Sequence, residues 1–396
     1  MTFAIRHAAL MTCDPARPEL GVIDDGAVVF DGDRIAWLGA TADAPAADDD
    51  FDAQGALVTP GLVDCHTHAI FAGDRAREFG MRAAGADYLA IAAAGGGIAA
   101  TLGPTRAASD DELDALLGAR LDGALAGGTT TIEVKTGYDL TTDGELRMLR
   151  AIRRIAAARA QRVIPTLLVH LVPPERKQDR DAHLREVCEE LIPQAAGLAA
   201  SVDIYVDEGA FTLDEARRVW SAARAAGLAI RGHVGQFRDL GAAELLGDLG
   251  GLSADHLEQV SPAGIAALAR GGTVAVMLPG ACVQVRLPVP PIAALRAAGI
   301  PLAIASDLNP GTSFCETLPI QLWLATTHFA MTVEEAWLGV TRNGARALGL
   351  GADTAGALVR GARADAVVWR ATDPAHVPYR YGGNLVERVY VAGVAA

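Results

Sequence analysis

Lysine is nearly missing from this chain: of its 34 Lys and Arg residues, only Lys135 and Lys177 are lysines. Alanine, arginine and glycine dominate elsewhere, a compositional bias without functional content. The formal net charge of −14, with no Lys/Arg stripe interleaved with aromatics, excludes extended contact with nucleic-acid phosphates. No uninterrupted apolar run reaches the ~20 residues that span a bilayer, which excludes a membrane partner and predicts a soluble protein. Cysteine is sparse and odd in number. Cys13, Cys65, Cys188, Cys282 and Cys315 form no Cys-x-x-Cys pair, which argues against a disulfide framework and against a structural zinc knuckle. The segment from Met1 to Leu10 reads as a strand carrying Arg6 and His7. It has no apolar signal core followed by a small-residue cleavage site, so cytoplasmic residence is expected.

What is present is an ordered globular pattern, 51% hydrophobic over 396 residues, long enough for one large domain with an appendage. Ala27–Phe30 and Arg34–Leu38 flank Asp31-Gly32-Asp33 and predict a β-hairpin. Near the other end, Ala366–Trp369 and Val389–Val391 are short β runs separated by Gly, Pro and polar residues. Residues 1–58 and 354–396 are therefore expected to build one small β-sandwich domain. Between them, strand-length apolar runs alternate with helical patterns. The eight runs are Leu62–Ile70, Thr130–Lys135, Val163–His170, Val202–Glu208, Ala229–His233, Leu252–Leu257, Thr273–Leu278 and Leu302–Asp307. Eight β/α repeats over residues 59–353 predict a closed (β/α)8 barrel of the α/β class. Met148, Ile152 and Ile155 fall at helical spacing, and Thr212 is placed to cap a helix opening at Leu213. The Ala195–Ala200 stretch reads as helix surface. The span from Gly73 to Gly128 holds more than one helix and suits a cover over a site. Its Gly95-Gly96-Gly97 run lacks a following Lys-Ser/Thr, so a hinge or lid is expected there and not a phosphate loop.

Functional groups of such a barrel sit at the C-terminal ends of its strands. His66 and His68 end the first predicted strand, Glu133 and Lys135 the second, His170 the third, His233 the fifth, His256 the sixth and Asp307 the eighth. Two imidazoles two residues apart on an extended segment face the same way. A catalytic divalent ion needs a few N/O ligands and one open position, and His66, His68, His233 and Asp307 supply them. Asp307 taken alone could equally cap a following helix. With three histidines converging, a carboxylate that touches the metal and carries a proton is the better reading.

The chain resembles the imidazolonepropionases, a family of the metal-dependent amidohydrolase superfamily. The resemblance runs almost end to end. It rests on the run from Pro60 to His68, on Phe71-Ala72-Gly73-Asp74-Arg75, Ala94–Ile98, Glu133-Val134-Lys135-Thr136-Gly137-Tyr138 and Val172–Glu175, and on Ser253–Glu258, Leu278–Ala281 and Ser306–Thr312. His-x-His marks only the superfamily; the Gly-Asp-Arg, Lys-Thr-Gly-Tyr and Asn-Pro-Gly-Thr segments together are far more specific. The resemblance implies hydrolysis of the ring amide of 4-imidazolone-5-propanoate to N-formimino-L-glutamate in histidine degradation. It further implies one divalent ion, zinc or iron, on His66, His68, His233 and Asp307. Substrate contacts are implied at Arg75, Tyr138, His170 and Thr312, with Asn309 and Gly311 on the product side and Tyr88 as a further candidate. A propanoate tail suits a bidentate guanidinium, although Arg75 could instead pair with Glu78 on the surface.

In the mechanism these roles suggest, a cation lowers the pKa of water, Asp307 takes its proton and hydroxide attacks the ring carbonyl. His256 stabilises the oxyanion. The leaving ring nitrogen receives a proton from Asp307 or through His170. Gln236 stands where some family members have an acid. An amide is no general base, so Gln236 is assigned to substrate hydrogen bonding. The run before His170 is one residue shorter than in the family pattern, which bears on that side chain's orientation. A homodimer is expected from the superfamily. Two rival readings stand beside this one: another mononuclear amidohydrolase, a cyclic-amide hydrolase or aromatic deaminase, and a silent barrel, which would have lost one or more of the four ligands present here. Two-metal relatives use a modified lysine as bridge, and the one candidate, Lys135, lies in the Lys-Thr-Gly-Tyr segment instead.

Overall fold

A computed structural model describes residues 1–85 and 96–396; Tyr88, Ala94 and Gly95 lie outside the described residues. The chain opens with β1 (Thr2–Met11), β2 (Val22–Asp31), β3 (Arg34–Ala40), β4 (Asp49–Asp52) and β5 (Leu57–Pro60). Then come the barrel strands β6 (Leu62–Asp64), β7 (Thr129–Lys135), β8 (Arg162–Val169), β9 (Ser201–Val206), β10 (Ala229–Val234), β11 (Ser253–His256), β12 (Val274–Met277) and β13 (Leu302–Ile304). It closes with β14 (Ala366–Trp369), β15 (Val386–Val391) and β16 (Val394–Ala395).

The terminal segments form one mixed eight-stranded sheet, ordered β16-β15-β14-β5-β1-β2-β3, with β4 paired to β1. The sheet curls until Arg34 of β3 bridges Arg363 just ahead of β14. It wraps a core of Ile5, Leu10, Val28, Phe30, Val58 and Val368. β5 carries this sheet to Pro60, pairing with β14 from Leu57 to Pro60. One residue later the barrel begins.

The barrel strands follow one another in sequence order, and every adjacent pair is parallel. Side chains alternate across each strand. Ile132 and Val134 of β7 face outward into an apolar cluster with Leu117, Leu121, Met148 and Ile152 from the covering helices. The intervening Glu133 and Lys135 face the barrel axis. The helix Thr142–Ala157 carries Met148 and Ile152 as its spacing predicts, and the helix Leu213–Ala225 starts behind a Thr212/Glu215 capping box. The long excursion after β6 holds helices Ala76–Ala83, Ala99–Ala107 and Asp110–Ala126.

Two sequence expectations are corrected. The first barrel strand stops at Asp64 and does not run to Ile70. Beyond it, Lys135 N–H donates to Thr67 O at 2.9 Å and Thr67 bridges Leu308, so isolated bonds replace a continuous ladder. Only Ala195 of the Ala195–Ala200 stretch is helical. Gly197, at φ +81°, reverses the chain, and Ala200 N–H donates to Pro165 O on entry to β9.

Candidate metal centre and active site

β6 and β13 share no strand pairing, yet their continuations meet. Asp307 N–H donates to His66 O at 3.1 Å and His68 N–H donates to Leu308 O at 2.8 Å. These bonds seat the loop after β13 against the His-x-His segment. Asp307 is held at φ +50° and His256, last residue of β11, at φ +82°, unusual backbone for residues with a Cβ. Asp307 caps no helix: the next one begins at Pro319.

Four ligand atoms converge here. His68 Nε2 lies 3.3 Å from His66 Nε2 and 3.3 Å from His233 Nε2. Asp307 Oδ1 lies 3.4 Å from Nε2 of both His66 and His68. Four ligands placed tetrahedrally at Zn–N distances stand about 3.4 Å apart, so the spacing fits one divalent cation. The tautomers fit as well. His66 Nδ1 contacts Asp255 Oδ2 at 2.6 Å and His233 Nδ1 contacts Asp203 Oδ1 at 3.1 Å. A carboxylate accepts, so each Nδ1 must donate, and in the neutral ring each Nε2 is left with a lone pair aimed at the common centre. His66, His68 and His233 also form a possible metal-holding group by ligand spacing alone.

Charge in the site is uneven. Burial pushes His68 and His233 down, His233 far below the ordinary imidazole range. Burial and the Lys135 charge oppose a proton on His66, but the carboxylates of Asp255 and Asp307 outweigh them and raise it to about 9. A field that attracts a proton to this point attracts a metal cation too. Burial alone would raise Asp307, but hydrogen bonding to His66 and His68 holds it well below the carboxylate range, as an anion.

Around this centre stand the other expected residues. His170, just past β8, has Nδ1 at 2.9 Å from the Gly137 carbonyl, which can only accept; its Nε2 is therefore bare in the neutral ring. Burial lowers His170 to about 4, so the ring is neutral. Tyr138 packs 5.6 Å from the His170 ring and 6.1 Å from that of His68, centroid to centroid. Its loop is held by buried Glu145, which accepts N–H bonds from Gly137 at 2.7 Å and Leu140 at 2.7 Å. Gln236 accepts a hydrogen bond from the Tyr205 hydroxyl at 3.1 Å. Asn309 is occupied within its loop: Oδ1 accepts from Gly311 N and Thr312 N, both at 2.8 Å, and Nδ2 donates to Thr312 Oγ1 at 2.9 Å. Arg75 does pair with Glu78, at 2.9 and 2.7 Å, but not on the surface, since the side chains are 17% and 7% exposed. Glu78 also accepts Gly97 N–H at 2.9 Å, which ties the segment ahead of helix Ala99–Ala107 back to Arg75.

Several residues at the site were not found from sequence. Tyr205 stands between the rings of His170 and His233, at 6.1 and 5.8 Å. Glu258 places a buried carboxylate 3.6 Å from His256 Nδ1, an ion-pair distance and not a hydrogen bond. Burial opposes a proton on His256, and Glu258 outweighs it, raising the imidazole. Arg120 donates to Ala69 O at 2.7 Å and Phe71 O at 2.8 Å and lies 3.5 Å over the Phe71 ring, fixing the turn after His68. Asp203, Arg231 and Asp255 lie beneath the histidines. Their signal was period-two alternation, with polar residues at every second position of strands whose other face is apolar.

Residues 57–395 match the model of the amidohydrolase family. A solved triazine hydrolase variant superposes with a TM-score of 0.75 at 18% identity, covering 100% of this chain and 94% of its own. An adenosine deaminase from Xanthomonas campestris, solved with bound zinc, gives 0.72 at 20% identity over 99% and 92%. At these identities the likeness speaks for the fold alone. The imidazolonepropionase of Rhizorhabdus wittichii is 49% identical, covering 92% of this chain and 93% of its own length. That of Caulobacter vibrioides is 48% identical over 96% of both. The chain belongs to the amidohydrolase family and, within it, to the imidazolonepropionases. Among the described residues, no helix is long and apolar enough to cross a membrane.

Proposed function

We propose that this protein hydrolyses the ring amide of 4-imidazolone-5-propanoate, a small anionic heterocycle, to N-formimino-L-glutamate, with one zinc or iron ion on His66, His68, His233 and Asp307. The observation that carries this reading is that His68 Nε2 lies 3.3 Å from the Nε2 atoms of both His66 and His233, with the Asp307 carboxylate 3.4 Å from His66 and His68. A divalent ion in that position supplies Lewis-acid polarisation and a lowered pKa for water.

The remaining steps belong to the chain. Asp307, anionic and aimed at the centre, accepts a proton from the attacking water as the water oxygen bonds to the ring carbonyl carbon. His256, whose imidazole Glu258 biases toward the charged form against the effect of burial, faces the negative charge that develops on the carbonyl oxygen. The C–N bond then breaks, and the proton on Asp307 passes to the departing ring nitrogen. Asp307 is the better donor of the two, because the N–H of neutral His170 is spent on Gly137 O, which leaves its Nε2 as an acceptor for a substrate N–H. Arg75 holds the propanoate through the edge that Glu78 leaves free, beside Tyr138 and Thr312. Gln236, its carbonyl taken by Tyr205, offers its NH2 group to the substrate.

The test is to add 4-imidazolone-5-propanoate to purified protein and follow loss of the ring's ultraviolet absorbance, before and after chelation. No turnover by metal-loaded protein overturns the substrate. Turnover that survives complete metal removal overturns the role of the four ligands.

A further inference from the structure

Directly beneath the three imidazoles lies a group of charges shut off from solvent. Glu133, Lys135, Asp203, Arg231 and Asp255 are each completely buried. All five occupy inward positions on β7, β9, β10 and β11. Lys135 Nζ donates to Glu133 Oε1 and to Asp203 Oδ2, both at 2.7 Å. Arg231 donates through Nη1 to Glu133 Oε1 at 2.9 Å and through Nη2 to Asp255 Oδ2 at 3.2 Å. Arg231 is itself anchored, to Ser253 Oγ at 2.8 Å and Cys65 O at 2.6 Å. Glu133 thus joins two cations and, through them, two aspartates into one continuous cluster.

The ends of that cluster are the two carboxylates that orient metal ligands: Asp203 contacts His233, and Asp255 contacts His66. Lys135 holds the Asp203 oxygen that does not face His233. Arg231 holds the Asp255 oxygen that does face His66. A carboxylate so held accepts only in a fixed direction, which fixes the ring plane of its histidine and the nitrogen left bare. The third ligand is different, because buried His68 Nδ1 has no hydrogen-bond partner among the described residues. Two cations against three carboxylates also leave this layer one charge negative, under a pocket that takes a cation.

We propose that Lys135, through Asp203 and His233, and Arg231, through Asp255 and His66, act as positioning residues that set the affinity of the site for its divalent ion. Lys135 is a fixed cation in this cluster and not a ligand bridging two metals. The inference rests on the reading of the four-ligand site as a metal centre, and uses no substrate.

The experiment measures zinc binding by competition with a chromophoric chelator, and unfolding with and without zinc, on metal-stripped full-length protein. Wild type is compared with Asp203→Asn, Lys135→Met, Asp255→Asn, Arg231→Met and the charge-conserving double variant Lys135→Met/Glu133→Gln. The expected result is a zinc Kd raised 10- to 100-fold in each variant. The stabilisation that a fixed excess of zinc confers then shrinks by about 1.4 to 2.7 kcal/mol, whatever happens to the metal-free form. A cluster that merely holds the barrel together lowers the stability of both forms equally and leaves zinc Kd within threefold of wild type; that result overturns the proposal. If Lys135→Met does not fold, the double variant and Asp203→Asn decide by the same criterion. Wild-type protein that takes up no zinc overturns the metal-site reading and the proposal together. Wild-type binding with unaltered variants overturns the proposal alone.

Discussion

Gly311 sits flat against the guanidinium of Arg75, so close that a Cβ at residue 311 would overlap Nη1. The loop carrying Asp307 therefore also seats the arginine assigned to the propanoate. Gly311→Ala is expected to displace that guanidinium and raise KM about tenfold, the loss of one charge-assisted contact, while kcat stays within threefold. Steady-state kinetics on the ultraviolet assay read both parameters.

Arg75→Gln removes the cation and leaves Glu78 without its partner. Binding of a propanoate-bearing imidazole is expected to weaken about 30-fold, near 2 kcal/mol, and that of the matching propanamide much less. Inhibition constants for the two ligands give the comparison. Equal losses for both would remove Arg75 from carboxylate recognition.

Asp307→Asn preserves shape but cannot take a proton. A fall in kcat of about 10²- to 10⁴-fold is expected, and it should persist at zinc concentrations that refill the site. Metal content measured alongside activity separates lost proton transfer from lost metal.

Arg120→Met tests a purely structural cation. It leaves the buried carbonyls of Ala69 and Phe71 without donors, at about 1 to 3 kcal/mol each, partly relieved by relaxation. A net destabilisation of about 2 to 4 kcal/mol is expected in urea unfolding of the metal-free protein.

The sequence made His66, His68, His233 and Asp307 legible because a parallel barrel brings strand ends to one face, so position along a strand stands in for position in space. The same reasoning located His170 and His256. It failed for Asp203, Arg231 and Asp255, which lie one to three residues upstream of their strands' last residues, where an inward polar residue cannot be told from a surface one without knowing the register. Tyr205 was missed for a related reason: it is defined by the rings of His170 and His233, contacts between different strands. Glu258 lies only two residues beyond His256, and its role shows only in the turn that brings its carboxylate back to that ring. The terminal hairpin β2–β3 was legible from its Asp-Gly turn. The strand order of the curled sheet was not, because β1 pairs with β5 and β5 with β14 across very long sequence separations.

The seam of the barrel carries a final consequence. Neighbouring staves elsewhere are laced along their length, but the first and last, among the described residues, share no strand pairing and meet through the His66–Asp307 and His68–Leu308 backbone bonds and the Ser306 N–H that donates to Asp64 Oδ1 at 3.1 Å. An ion gripping those side chains would act as a hoop on the one weakly fastened joint. Amide exchange at His68 and Asp307 is then expected to slow on adding zinc more than at amides midway round the cylinder, tying occupancy of the centre to the integrity of the wall.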